Sequence, residues 1–111
     1  MSISTHVLDT AHGRPAAGLS VSVSRRNPGE AWSVVGRAVT DAEGRVKELS
    51  SVPLNGGEYR LDFATGAYFK ASGVKAFYPE VSVVFVVADG ETHLHVPLLL
   101  SPFGYSTYKG A

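Results

Sequence analysis

With 111 residues, 44% of them hydrophobic and 18% charged, the chain has the size of one folded domain and is too apolar for a disordered one. Ten basic residues balance ten acidic ones, which excludes the strong field that draws nucleic acid or an anionic membrane surface. The absence of cysteine excludes disulfides, thiolate metal sites and thiol nucleophiles.

Short alternating apolar runs, broken by Gly, Pro, Asn and Asp, predict an all-β sandwich or barrel. The first strand is expected over Ser4–Thr10, with Ile3, Thr5 and Val7 inward and His6 and Leu8 outward. After the Gly13-Arg14-Pro15 turn, Leu19–Arg25 turns Leu19, Val21 and Val23 inward and Ser20, Ser22 and Ser24 to water. Asn27-Pro28-Gly29 leads to Trp32–Val39, and Asp41-Ala42-Glu43-Gly44 leads to Val46–Leu49. Asn55-Gly56-Gly57 precedes a strand at Glu58–Ala64. From Thr65 to Gly73 the spacing of Tyr68, Phe69 and Ser72 predicts one short helix, with Thr65 as N-cap and Gly73 as stop. Val81–Ala88, the Asp89-Gly90 turn, Thr92–Leu99 and Tyr105–Tyr108 complete the strand set.

Two of these strands carry more than fold information. In Val81–Ala88 one face holds Val81, Val83, Phe85 and Val87, and the other holds Val84 and Val86. A second apolar face needs a covering layer, and a second copy of the chain supplies one, so an oligomer is expected. In Thr92–Leu99 the inward set is Leu94, Val96 and Leu98, which leaves His93, His95, Pro97 and Leu99 outward. His6 and His95 are therefore expected on one outer surface.

Each histidine alone reads most simply as a solvated side chain. His93-x-His95 also has the spacing of a metal pair, but two imidazoles need a third ligand. Arg45, just after the Asp41–Gly44 turn, is either a solvated turn arginine or a clamp for an anion or carbonyl, to which a guanidinium fork is suited. Asp9, Asp41, Glu43, Asp62 and Glu80 show no spacing that pairs an acid with a base. The Gly-x-Ser-x-Gly elbow, Walker loop, Rossmann fingerprint and zincin motif are absent, which disfavours nucleophilic and phosphate-handling enzymes. No apolar stretch approaches the roughly 18 residues that span a bilayer, and no basic run with an apolar stretch opens the chain. One cytoplasmic domain over residues 1–111 is expected, with no membrane or nucleic-acid partner.

Two long motifs add a family resemblance. Thr5-His6-Val7-Leu8-Asp9-Thr10-Ala11-His12-Gly13-Arg14-Pro15-Ala16 resembles the N-terminal signature of the transthyretin-like proteins, specifically the 5-hydroxyisourate hydrolases of purine catabolism. The stretch His93-Leu94-His95-Val96-Pro97-Leu98-Leu99-Leu100-Ser101-Pro102-Phe103-Gly104-Tyr105-Ser106-Thr107-Tyr108 resembles their C-terminal one. Tyr78-Pro79-Glu80-Val81 and Gly44-Arg45 also fit, so the resemblance spans essentially the whole chain.

The resemblance implies a transthyretin-like sandwich of two four-stranded sheets with one short helix, assembled as a homotetramer, a dimer of dimers, around a central channel. It implies catalytic roles for His6, Arg45 and His95, no cofactor, no metal, and a small purine-derived substrate. The implied reaction opens 5-hydroxyisourate to 2-oxo-4-hydroxy-4-carboxy-5-ureidoimidazoline by histidine-assisted attack of water on a ring carbonyl. The family ends in Tyr-Arg-Gly-Ser, whereas this chain ends in Tyr108-Lys109-Gly110-Ala111. Lysine keeps the charge without the fork, and alanine lacks the hydroxyl, while the terminal carboxylate persists. Tyr108, Lys109 and Ala111 are expected at the edge of the substrate pocket, with altered or weakened turnover. The rival reading is a transthyretin-like carrier that binds a small aromatic ligand in the same channel without chemistry.

Overall fold

The computed structural model describes residues 2–50 and 55–111. Among them, ten strands and one helix follow in order: β1 (Ser2–Asp9), β2 (Arg14–Pro15), β3 (Ser20–Arg26), β4 (Ser33–Val39), β5 (Arg45–Val46), β6 (Gly57–Phe63), α1 (Thr65–Ala71), β7 (Val81–Val87), β8 (His93–His95), β9 (Leu98–Ser101) and β10 (Gly104–Thr107). One sheet is antiparallel throughout, in the order β4-β3-β6-β7. The other runs β10-β9-β1-β2, with β5 and β8 also paired to β1.

The all-β sandwich with one short helix is as the alternation predicts, but the β1 sheet has six short pieces where four strands were expected. The cause lies in single residues. Pro97 has no N–H to give to a ladder, so the expected Thr92–Leu99 strand divides into β8 and β9. Off the ladder the two-residue alternation no longer governs direction, and Pro97 is buried instead of outward. The expected strand Val46–Leu49 ends at Val46, although the Leu49 amide still bonds the Ile3 carbonyl at 2.9 Å.

Alternation decides what fills the space between the sheets. Val21, Val23, Tyr59, Leu61, Phe63 and Val81 of one sheet meet Ile3, Val7, Leu94, Leu98 and Leu100 of the other, all buried. Each such side chain contributes about 1.5–3 kcal/mol of burial, enough to hold β1 firmly at the sheet centre. Thr5, also inward, satisfies its hydroxyl by donating to the Val96 carbonyl at 2.7 Å.

The helix departs from expectation at its start. Ala64 is the N-cap and Thr65 is the first helical residue, buried, with no hydrogen-bond partner for its hydroxyl among the described residues. The Gly66 amide reaches the Pro79 carbonyl instead, at 3.0 Å, so a loop carbonyl serves where a capping side chain was expected. Gly73 closes the helix as expected, its amide on the Lys70 carbonyl at 3.1 Å. On β7, at the end of its sheet, Val84 and Val86 stand 54% and 79% exposed, as the two-faced pattern predicts.

Candidate functional site

The site is assembled on β1. Its even-numbered residues face outward, and parallel pairing with β8 sets Ser2 opposite His93 and Ser4 opposite His95. On the other edge, antiparallel pairing with β5 sets His6 opposite Arg45. One strand thus gathers two segments some forty to ninety residues away in the chain.

Arg45 is presented by a tightly built turn. One carboxylate oxygen of Asp41 accepts the amides of both Glu43 and Arg45, each at 2.9 Å, and the Gly44 amide bonds the Asp41 carbonyl at 2.9 Å. Gly44 has φ +75°, and a Cβ there would stand 2.4 Å from the Val7 carbonyl oxygen, so only glycine fits. The guanidinium lies 3.8 Å from the Glu43 carboxylate, a loose, solvated pair that leaves the fork free.

A cavity of about 360 Å³ is lined by Ser4, Arg45, Lys47, His93, His95 and Ala111, together with Thr5 and Val46. Arg45, His95 and Ala111 of the sequence-derived set are brought together here. His6 lies beside Arg45 on the strand pair but does not line this cavity. Tyr108 and Lys109 line a separate cavity of about 250 Å³, beside Phe85, Val86 and Leu94.

Both key imidazoles have one ring nitrogen committed. His6 donates Nε2–H to the Glu43 carbonyl at 2.9 Å, which leaves Nδ1 as its remaining acceptor. His95 shares a 2.7 Å hydrogen bond between Nδ1 and Ser4 Oγ, and its Nε2 has no hydrogen-bond partner among the described residues. Its pKa lies below the ordinary histidine value, because burial disfavours the imidazolium and because Arg45, His6 and His93 add positive charge around it. A neutral imidazole with a free nitrogen beside a guanidinium can take a proton from water while the cation holds an oxygen anion.

The chain's end supports His95. The Gly110 amide donates to the His95 carbonyl at 2.7 Å, which sets Ala111 at the cavity. Ser4, Lys47 and Gly110 escape a reading of the sequence, since their placement depends on strand register. Asp9, for which the sequence showed no spacing pairing an acid with a base, is buried and accepts His12 Nδ1–H at 2.6 Å and the Tyr68 hydroxyl at 2.7 Å. The metal reading of His93 and His95 needs a third ligand, and among the described residues no group of three histidine, aspartate or glutamate side chains is arranged to hold an ion. Among the described residues no helix is long and apolar enough to cross a membrane.

The HIUase/Transthyretin family profile matches residues 3–110. The 5-hydroxyisourate hydrolase of Caulobacter vibrioides is 47% identical over 113 residues, covering 98% of this chain and 97% of the relative. Among solved structures, the 5-hydroxyisourate hydrolase of Klebsiella pneumoniae superposes with a TM-score of 0.86 at 40% identity, covering all of both chains. Sea bream transthyretin in complex with thyroxine superposes with a TM-score of 0.90 at 31% identity, over 100% of this chain and 96% of the other.

Proposed function

The chain belongs to the HIUase/Transthyretin family, and from that premise we propose that it works as a 5-hydroxyisourate hydrolase through His6, Arg45 and His95. The enzyme is a cofactor-independent hydrolase of a cyclic amide. Water attacks a ring carbonyl, the adjoining carbon–nitrogen bond breaks, and the product is 2-oxo-4-hydroxy-4-carboxy-5-ureidoimidazoline. The water oxygen ends in the new carboxylate and the freed nitrogen in the ureido group.

The observation that carries the site assignment is the meeting of His95, Arg45 and Ala111 in one cavity. His95 Nε2 accepts the proton of the attacking water. Arg45 holds the electron-rich ring and the oxyanion that forms on the carbonyl, where fixed donors act before the charge appears. His6, on the Arg45 side, uses Nδ1 to orient the water or to serve the leaving nitrogen. Ala111 shapes the pocket with its carboxylate, while Tyr108 and Lys109 line the separate cavity beside Phe85 and Val86.

We infer a homotetramer, a dimer of dimers, as the working form. The exposed Val84 and Val86 on an end strand support it, as does a substrate cavity open on one side. The carrier reading draws on the likeness to thyroxine-bound sea bream transthyretin, but a carrier pocket is chiefly apolar, whereas this one holds two cations and two imidazoles.

The decay of freshly generated 5-hydroxyisourate, followed by ultraviolet absorbance, tests the reading. The wild-type chain accelerates decay, and His95→Ala and Arg45→Ala each abolish most of that acceleration. Decay at the spontaneous rate with wild type would sink the hydrolase and favour the carrier.

A further inference from the structure

We propose that Ser2, His93 and Ser4 form a proton relay behind His95, which fixes its ring and conducts to solvent the proton it takes from water. The inference rests on the assignment of His95 as the base and deepens it.

The relay is a continuous line of hydrogen bonds. Ser2 Oγ lies 2.6 Å from His93 Nδ1, Ser4 Oγ lies 3.1 Å from His93 Nε2, and Ser4 Oγ lies 2.7 Å from His95 Nδ1. Parallel register produces it, since Ser2 faces His93 and Ser4 faces His95 across the β1–β8 pair. Ser4, at the inner end, is 8% exposed, whereas His93 is exposed to water. The line therefore runs from a sheltered site to solvent.

A serine hydroxyl carries one proton, so Ser4 cannot donate to both imidazoles at once. The line has two consistent directions. In one, His95 Nδ1–H donates to Ser4, Ser4 to His93 Nε2, His93 Nδ1–H to Ser2, and Ser2 to water; His95 Nε2 is then an empty acceptor. When Nε2 takes the proton of the attacking water, each proton along the line moves one place outward and Ser2 releases one to bulk solvent. The line is left in its opposite direction, with Ser4 donating to His95 Nδ1, and His95 holds Nε2–H as a neutral ring. That proton passes to the leaving nitrogen as Ser2 takes one proton from solvent and each proton along the line moves one place inward, so Nδ1 is reprotonated in the same step, the ring stays neutral and the line is reset.

The surroundings of His95 give this route its value. Arg45 from β5, His6 on β1 and His93 on β8 add positive charge around it, and Lys47 lines the same cavity, while the negative groups are the terminal carboxylate of Ala111 in that cavity and Glu43, 3.8 Å from the Arg45 guanidinium. An imidazolium there is costly, and a relay lets the ring collect a proton without keeping a charge. The lowered pKa of His95 agrees with this.

The test uses the full chain and four variants: Ser4→Ala, Ser4→Thr, His93→Phe and His95→Ala. Ser4→Ala is expected to lower kcat about tenfold, the worth of one strong hydrogen bond, with KM changed less than about twofold. Ser4→Thr keeps the hydroxyl and restores most of the loss. His93→Phe keeps the ring volume at an exposed position, lowers kcat severalfold, and is rescued by added imidazole buffer. Nitrogen-15 spectra of the ring show His95 changing tautomer in Ser4→Ala, a signature that a merely structural serine would not leave. Wild-type kcat in Ser4→Ala and His93→Phe, with His95→Ala inactive, overturns the relay and leaves the hydrolase reading standing. A loss in Ser4→Ala without any in His93→Phe overturns it too, since the line would then end at Ser4. Should Ser4→Ala not fold, His93→Phe decides alone. Full turnover in His95→Ala would overturn the site assignment and the relay together.

Discussion

Gly110 donates its amide to the His95 carbonyl at 2.7 Å, and a Cβ on Gly110 would stand 2.7 Å from Cδ2 of the same imidazole. The chain's end and the proposed base therefore share one packed contact, in which any side chain at position 110 displaces the ring. Gly110→Ala is expected to cut kcat/KM by about 10–100-fold, the cost of moving a catalytic group by a fraction of an ångström. Residues 108–111 lie beyond the last strand, so the melting temperature stays near that of wild type. Unchanged kcat/KM would show that the tail does not hold the ring.

Burial and then the charges of Arg45, His6 and His93 lower the His95 pKa, which fixes the sense of its pH dependence. With the neutral ring as the active form, kcat/KM is flat around neutrality and declines only as pH falls below about 6.5, the ordinary value. Arg45→Gln removes one repelling cation and raises the His95 pKa, a shift that a proton NMR titration of the ring reads without any turnover. Stability follows the same sign. The unfolded chain takes the proton first, so the contribution of His95 is intact above about pH 6.5 and is lost as pH falls through the lower folded value. A pKa for His95 at or above the ordinary value would remove the electrostatic argument.

Asp9 ends β1 with its carboxylate buried, 1% exposed, between the Tyr68 hydroxyl and His12. Burial alone would raise its pKa, but the bonds from Tyr68 and His12 outweigh burial and hold it below the ordinary carboxylate value. Tyr68→Phe removes one of the two donors on Asp9 Oδ2, a hydrogen bond to a charged group, and is expected to cost about 1.5–3 kcal/mol in urea unfolding at neutral pH. The stability owed to the lowered Asp9 pKa is present above about pH 4 and is lost as pH falls through its folded value. Tyr68→Phe raises that value, so acid unfolding begins at a higher pH. Equal stability of the two chains at neutral pH would assign the Asp9 bond no net worth.

The inward faces of β1, β3 and β7 are legible because a strand alternates strictly, and Ile3, Val7, Val21 and Val23 fall where that period puts them, but Ser24, expected to face water, is 1% exposed. Arg45 is legible as a turn-end cation, since Asp41 and Gly44 announce the turn. Ser4 is not. Its contacts are with residues 89 and 91 positions away, and only the parallel register of β1 with β8 makes them. The break at Pro97 follows from its missing N–H, yet the sequence alone does not show that a ladder partner waits on either side of it. Thr65 looks like a cap, but β6 runs so directly into α1 that the preceding alanine occupies the cap position.

Oligomeric assembly yields the sharpest single substitution. Val86 is 79% exposed on β7, the strand at the end of its sheet, so lysine there costs the protomer little, within about 0.5 kcal/mol. In a tetramer formed through that face the same lysine is buried without a partner, and like charges from two protomers approach each other. Val86→Lys is expected to lower the mass measured by light scattering at micromolar concentration while the melting curve of the protomer persists. If the proposed tetramer completes the cavity lined by Arg45 and His95, turnover falls with it. A Val86→Lys chain with wild-type mass and wild-type turnover would show that this face is no interface, and Val84 would have to be explained as an ordinary exposed valine.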